Sequence, residues 1–160
     1  MDSIDVELKV LIECLKKKEK ALKQIAAITE NQGFVLTSNI PHEELYPFFM
    51  QMNVEKNEFI QLVIQCDEVF ENVLKKIGPT LDAETDKHEE EVLAMQELIR
   101  VVMDLDVQIR VGEDKNYNIL TETLDRIEIP VKEKEKKEQL DSGEYGSTKA
   151  IEAYKNQTKR

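Results

Sequence analysis

The sequence has few residues that turn or break a chain, with five glycines and four prolines in 160 residues, and it has no tryptophan. Sheet folds with many tight turns use glycine and proline often, so such folds are disfavoured. Charged residues make up 34% of the chain, a proportion typical of long helices with solvent-facing sides. A chain of this length can bury a substantial core as one domain. The composition therefore predicts an all-α domain.

A surplus of basic residues is also missing, because 22 basic residues stand against 33 acidic ones and the formal net charge is −11. Binding of phosphate needs a surplus of lysine and arginine on some face, so nucleic acid is not expected as a partner. Residues 131–160 differ from the rest because they contain eight basic and six acidic residues, which leaves −13 on residues 1–130. We expect 131–160 to be a flexible, disordered, charged tail.

The chain lacks a signal peptide and any apolar run of about 18 residues, so we expect no membrane insertion and a cytoplasmic location. The two cysteines, Cys14 and Cys66, lie in apolar helical stripes without the spacing of metal ligands. A free cysteine usually packs as a small apolar residue. We therefore expect both thiols to be buried.

Residues for catalysis are missing as well. The only histidines are His42 and His88, and neither follows a glutamate by three residues as a di-iron bundle requires. His88 lies near Glu84 and Glu91, which could form a weak surface metal site, but a charged solvent-facing helix is the simpler interpretation. There is no phosphate-binding glycine loop and no obvious nucleophile with its base. We expect no enzymatic activity, no cofactor and no metal.

The first apolar stripe predicts a helix over residues 4–31, ended by Asn31 and Gly33. Its seam follows heptad spacing, with Lys18 as a charged interruption that could snorkel or mark a wet stretch. Residues 32–46 are predicted to form a connector. The seam consists of Ile4, Leu8, Leu11, Leu15, Lys18, Leu22, Ile25 and Thr29.

A second helix is predicted over residues 47–77. Pro47 suits a first helical turn, and Gly78 followed by Pro79 is a strong stop signal. Its predicted apolar stripe consists of Phe48, Met52, Phe59, Leu62, Cys66, Val69, Val73 and Ile77.

A third helix is predicted over residues 84–128, before Pro130. At 1.5 Å per residue it would reach about 66 Å, against about 42 Å and about 46 Å for the first two, so it should overhang them. Its apolar seam consists of Met95, Leu98, Val102, Leu105, Ile109 and Ile119, and is followed by Leu120, Leu124 and Ile127. The last four of these, from Ile119 onwards, are expected to lack an intramolecular cover. A partner protein, the tail or a second copy of the chain could cover them.

Polar residues interrupt the same seam, where they either fix the register or mark solvent at the end of the core. They are Asp106, Gly112, Glu113 and Asn116. The predicted fold is a long antiparallel helical hairpin or three-helix coiled-coil bundle over residues 1–130, followed by a disordered C-terminal tail.

Several stretches of the chain resemble the flagellar export chaperone FlgN family, with clostridial-type members the most similar. The resemblance spans most of the chain and rests on the order of its motifs. These are Lys56-Asn-Glu-Phe-Ile-Gln-Leu62, Met95-Gln-Glu-Leu-Ile-Arg100, Asn116-Tyr-Asn-Ile-Leu120 and Glu144-Tyr145-Gly146.

The resemblance implies a cytoplasmic type III secretion chaperone that binds hook-associated proteins of the hook–filament junction before export. It implies cargo binding through the C-terminal part of the third helix, at Asn116, Ile119, Leu120, Leu124 and Ile127. It also implies docking of the tail to the cytoplasmic domain of the export gate through Tyr145 and Gly146, with Tyr154 as the fallback aromatic residue.

Two other classes of protein remain open. The chain could be a structural coiled-coil or self-associating helical adaptor, in which case the stripe of the third helix would be buried in a homodimer. A homodimer that exists only without cargo is compatible with the chaperone hypothesis as well. A metal-dependent bundle enzyme is the other alternative, and elemental analysis of the purified protein would test it.

Overall fold

The computed structural model describes residues 4–126, which form three long helices and one short helical turn. Helix α1 spans Ile4–Leu36, α2 spans His42–Ala83 and α3 spans Glu89–Arg126, with a 3-10 helix at Thr85–His88. No strand occurs within these residues. The all-α prediction is confirmed, and the proposed tail at 131–160 lies outside the described residues.

Helix α1 is the element on which the other two pack. α2 runs antiparallel to α1, because Lys18 meets Asp67 near one end of the pair and Thr29 meets Lys56 further along. α3 runs parallel to α1, with Asn116 beside Thr29 and Leu36 beside Leu120. Both helices approach the α1 backbone closely, whereas no Cα atom of α2 lies within 8 Å of a Cα atom of α3 in the described chain.

Two apolar clusters form the core. The larger one fills most of the length of the bundle, and it consists mainly of the buried seam of α1 together with facing residues of α2 and α3, such as Val63, Phe70, Val102 and Ile109. The smaller one closes the end where α1 stops and α2 begins, and it is built from Leu36, Leu45, Phe49 and Leu120. The seam predicted for α1 is confirmed, and Thr29 is buried in it. The expectation that Lys18 snorkels or marks a wet stretch was wrong, because Lys18 is only 1% exposed.

The predicted connector over residues 32–46 is mostly helical, so this prediction was wrong. α1 continues to Leu36, and only residues 37–41 separate it from α2. Gln32 is fully buried, and its side-chain amide nitrogen lies 3.4 Å from the Phe49 carbonyl oxygen. Contacts with α2 therefore extend α1 past its local stop signals.

The prediction that Gly78 and Pro79 end the second helix was also wrong, because α2 continues to Ala83. Pro47 likewise lies inside α2 and not in its first turn. A proline inside a helix removes one backbone hydrogen bond. On the far side of Gly78 and Pro79, Leu81 packs against the main core, and this tertiary contact favours continued helix.

The apolar stripe predicted for α2 is displaced around the helix. The buried positions are Leu45, Phe49, Lys56, Ile60, Val63, Cys66, Asp67, Phe70 and Ile77. Phe48, Leu62 and Val69, which were predicted to be core, are instead exposed. Lys56 and Asp67 lie on the buried face of α2. A prediction that counts only apolar residues as core therefore selects the neighbouring face of the helix.

Within residues 4–126, the third helix does not overhang its neighbours as predicted. With 42 residues, about 63 Å, α2 is the longest of the described helices, while α3 spans 38 described residues, about 57 Å. The extra turns at the end of α1 and the start of α2 lie beside the end of α3. They supply a cover that the sequence pattern did not predict.

Candidate functional site

The residues predicted to bind cargo are largely inside the bundle. Leu120 is only 3% exposed and packs with Leu36, Leu45 and Phe49. Ile119 is partly buried against the same cluster, and Asn116 is buried. The expectation that Ile119 and Leu120 lack an intramolecular cover was therefore wrong. The side chain of Leu124 and all of Ile127 lie outside the described part of the structure.

Asn116 has a structural contact that explains a polar residue in this seam. Its side-chain amide donates a hydrogen bond to the Thr29 carbonyl oxygen, 2.8 Å away. Gly33 makes room for it, since a Cβ atom at that position would lie 2.9 Å from Asn116 Oδ1. Gly112 has the same effect beside Thr29, whose methyl carbon would lie 3.0 Å from an added Cβ. These residues allow α1 and α3 to approach closely and fix their relative position.

A buried ion pair joins α2 to α3 at the same level. Lys56 Nζ lies 3.2 Å from Glu113 Oε1, and both side chains are almost fully buried. The same ammonium is 3.5 Å from the Thr29 hydroxyl, so one polar layer includes a residue from each helix. Burial raises the pKa of the Glu113 carboxyl, and Lys56 opposes this shift.

A second buried layer lies nearer the other end of the bundle. Lys18 Nζ of α1 is 2.6 Å from Asp67 Oδ1 of α2, and the fully buried Asp106 of α3 also lies close enough to act on the Lys18 charge. Burial lowers the pKa of Lys18, and Asp67 opposes this shift. Burial also raises the pKa of Asp67 to about 6, with Lys18 acting in the opposite direction.

The two layers account for the polar breaks that the sequence showed in the seams of α1 and α3. Asp106, Glu113 and Asn116 all lie in the core and not at its wet end. Buried polar groups of this kind hold partner elements in one register, because any slip would leave a charge unpaired. Both layers are enclosed within the bundle, so they position the helices and do not present a binding surface.

The histidine that sequence analysis considered for a metal is not on the surface. His88 is 4% exposed, with Nδ1 3.4 Å from an Asp5 oxygen and Nε2 3.5 Å from a Glu84 oxygen. Within residues 4–126, no group of three or more histidine, cysteine, aspartate or glutamate side chains is arranged to hold a metal ion.

An apolar groove lies between α1 and α2 on the outside of the bundle, and sequence analysis did not identify it as a site. We call it the α1–α2 groove, and its lining residues are Val6, Lys9, Val10, Glu13, Cys14, Lys17, Leu62, Gln65, Cys66 and Val69. Val6 is 59% exposed, Leu62 40% and Val69 44%. Cys14 and Cys66 are buried as predicted, and they form its floor.

A second, more polar groove lies between α1 and α3, on another side of α1. Its lining includes Thr29, Gly33 and Asn116 from the close contact described above, together with the exposed residues Phe34 and Val111. We call it the α1–α3 groove. Polar residues make up more of its lining, so it offers a less apolar surface than the α1–α2 groove.

The tail residues predicted to dock to an export gate, Tyr145, Gly146 and the fallback Tyr154, lie outside the described residues. Between residues 4 and 126, no helix is long and apolar enough to span a membrane. Comparisons with protein-family models, with curated proteins and with solved structures found no match to this chain.

Proposed function

We propose that this protein is a chaperone of the flagellar type III export system that binds hook-associated proteins in the cytoplasm and delivers them to the export gate. The observation that supports partner binding is the α1–α2 groove, where valine and leucine side chains are exposed along two adjacent helices. Contiguous exposed apolar surface on a helical protein is typical of sites that bind another protein. The assignment to flagellar export rests on the sequence resemblance.

The buried polar layers support the same proposal in a second way. They hold α1, α2 and α3 in a fixed register, so the groove exists before a partner arrives. A preformed groove loses less conformational entropy on binding than a surface that must first fold. A chaperone that binds its cargo reversibly and without ATP benefits from such a rigid receiving surface.

The test is copurification of the tagged full-length chain from its native cell, followed by mass spectrometry and by calorimetry with each purified hook-associated protein. We expect at least one hook-associated protein to copurify and to bind with a dissociation constant in about the micromolar range. Light scattering of the chain alone tests the self-associating adaptor. A stable homodimer that binds no hook-associated protein would replace the chaperone proposal with that alternative.

A further inference from the structure

The charge around the α1–α2 groove differs from the charge of the molecule. The whole chain carries −11, yet the groove is bordered by Lys9 and Lys17 and by a single carboxylate, Glu13. Glu13 already has a cation beside it, since Lys16 Nζ lies 3.8 Å from its Oε1. Neither Lys9 nor Lys17 forms an ion pair with a carboxylate of the described residues.

The charges near the floor of the groove are mixed. Burial raises the pKa of both the Cys14 and Cys66 thiols, Asp67 acts on both in the same direction, and Lys17 acts on both in the opposite direction. The apolar side chains at the centre and the lysines at the border together form an apolar groove with a basic rim. Such a surface is complementary to an amphipathic helix whose apolar face is bordered by carboxylates.

From these features we infer that the α1–α2 groove binds an acidic amphipathic helix of a partner protein, with Val6, Val10, Leu62 and Val69 contacting its apolar face and Lys9 and Lys17 pairing with its carboxylates. The inference rests on the proposed chaperone function and specifies the chemistry of the cargo segment. It also moves the cargo site from the end of α3 to the opposite half of the bundle, near the start of α1.

The two other occupants fit the charges less well. A twofold dimer in which α1 packs antiparallel on α1 of the second copy, centred near Glu13, would bring Lys9 towards Lys17 of that copy and Glu13 towards its Glu13, because in a twofold interface residue i contacts residue j and j contacts i. Like charges would then face each other. The chain's own residues 131–160 carry a basic excess of +2, which also disfavours them beside a lysine rim.

The register of α1 and α2 is held by the buried Lys18–Asp67 pair, and an exposed ion pair beside the groove joins the same helices, with Lys76 Nζ 3.2 Å from Glu7 Oε1. We therefore expect binding without rearrangement of α1 and α2.

Two synthetic peptides of about 18 residues test whether the groove prefers an acidic helix. Each is about 27 Å long as a helix and is stabilised by a side-chain lactam. Both have leucine at core positions; one has glutamate beside the leucines and the other has lysine.

We expect the full-length chain to bind the glutamate peptide at least about tenfold more tightly than the lysine peptide by fluorescence anisotropy at low salt, and the preference to shrink in about 1 M salt. Joint substitution Val6→Asp and Val69→Asp should weaken binding at least about tenfold. Val111→Asp in the α1–α3 groove is the matched control, and it should change the affinity less than about twofold.

Charge reversal provides the second test. Lys9→Glu combined with Lys17→Glu should reverse the preference between the two peptides, whereas Lys115→Glu, which borders the α1–α3 groove, should leave it unchanged. Circular dichroism should show that each variant keeps its helical fold, because all six substituted residues line surface grooves.

Several outcomes would overturn the inference. They are equal binding of both peptides, binding of neither, loss of binding in Val111→Asp alone, and light scattering that shows a dimer disrupted by the Val6→Asp and Val69→Asp pair. If the native chain binds the glutamate peptide but no hook-associated protein, the result would count against the proposed function only. Normal binding of that cargo by the same variant pair would count against the groove and leave the chaperone proposal intact.

Discussion

At the scale of single residues, the polar groups in the helical seams were visible in the sequence, but their partners were not. Lys18, Asp106, Glu113 and Asn116 interrupt apolar patterns and could be identified from spacing alone. The hydrogen bonds of Lys18, Glu113 and Asn116 reach other helices, at separations of 49, 57 and 87 residues along the chain. Periodicity describes one helix at a time, so it shows where a polar group enters the core and not which group neutralises it.

The Lys18–Asp67 pair should be strongly coupled in stability. Lys18→Met keeps the length of the side chain but leaves the Asp67 carboxylate buried without its ammonium partner, so we expect a loss of about 3 to 5 kcal/mol in the free energy of unfolding. The double variant Lys18→Met with Asp67→Leu should recover much of that loss, because no buried charge of the pair is left alone. Urea denaturation at neutral pH measures both. Additive losses in the double variant would contradict the coupling.

Asp67 should also make the stability depend on pH. Its pKa is raised to about 6 in the folded protein from the ordinary value of 3.8, so between these values the folded chain holds a proton that the unfolded chain has released. The contribution of Asp67 to the free energy of unfolding therefore falls as the pH rises from about 4 to about 6 and is constant above that window.

Asp67→Asn removes the titrating carboxyl group, so this variant is compared with the native chain. The free energy of unfolding of the native chain, minus that of the variant, should decrease through the window and then level off. Glu113 titrates in both proteins, so its effect cancels to first order. Urea denaturation at several pH values from about 4 to about 8 makes the measurement. Two parallel curves would show that Asp67 keeps its ordinary pKa.

At the scale of elements, the sequence predicted the existence of three helices but not where they end. Local stop signals were overridden at Gly33 and at Gly78 with Pro79, because each stretch continues to contact the core. The predicted buried face of α2 was wrong for a related reason, since two charged residues lie on the face that is buried. These errors shortened α1 and α2 and created the apparent overhang of α3, so the uncovered apolar stripe expected at Leu120 followed from incorrect helix lengths.

Leu120 is therefore expected to contribute to stability. Leu120→Ala removes a side chain packed against Leu36, Leu45 and Phe49, and we expect a loss of about 2 to 5 kcal/mol in the free energy of unfolding. Val111→Ala, at a position that is 63% exposed on the same helix, should change it by less than about 0.5 kcal/mol. Urea denaturation compares the two. Equal stability of both variants would mean that the end of α3 is not packed as described.

At the scale of the whole molecule, the surface that favours a partner is defined by the arrangement of α1 and α2 together. Val6 and Val10 lie off the main seam of α1, four residues apart and followed by Cys14, which is a local signal that a second apolar face exists. Leu62 and Val69 were noticed but assigned to the core. Only the packing of the two helices shows that these residues border one groove with a basic rim in an acidic protein.

A chaperone that delivers cargo needs a contact with the export gate that does not compete with its contact with cargo. Tyr145 is the only large aromatic residue between Leu140 and Ala150, and its neighbours Glu144 and Gly146 belong to the motif that resembles the chaperone family. Substitutions in the α1–α2 groove and at Tyr145 should therefore impair different binding steps. Tyr145→Ala should weaken binding of the chaperone–cargo complex to the cytoplasmic domain of the gate by about thirtyfold, the effect of losing an aromatic anchor worth about 2 kcal/mol, and leave cargo affinity unchanged.

The Val6→Asp and Val69→Asp pair should have the opposite profile, with weakened cargo binding and unaltered binding of the cargo-free chain to the gate. Calorimetry with purified cargo and gate domain measures both affinities, and a secretion assay should show reduced export for each variant. Tyr154→Ala tests the fallback anchor, because Tyr154 is the other aromatic residue of 131–160. If Tyr145→Ala reduces cargo affinity as strongly as the groove pair does, then the tail contacts cargo and the two contacts are not separate.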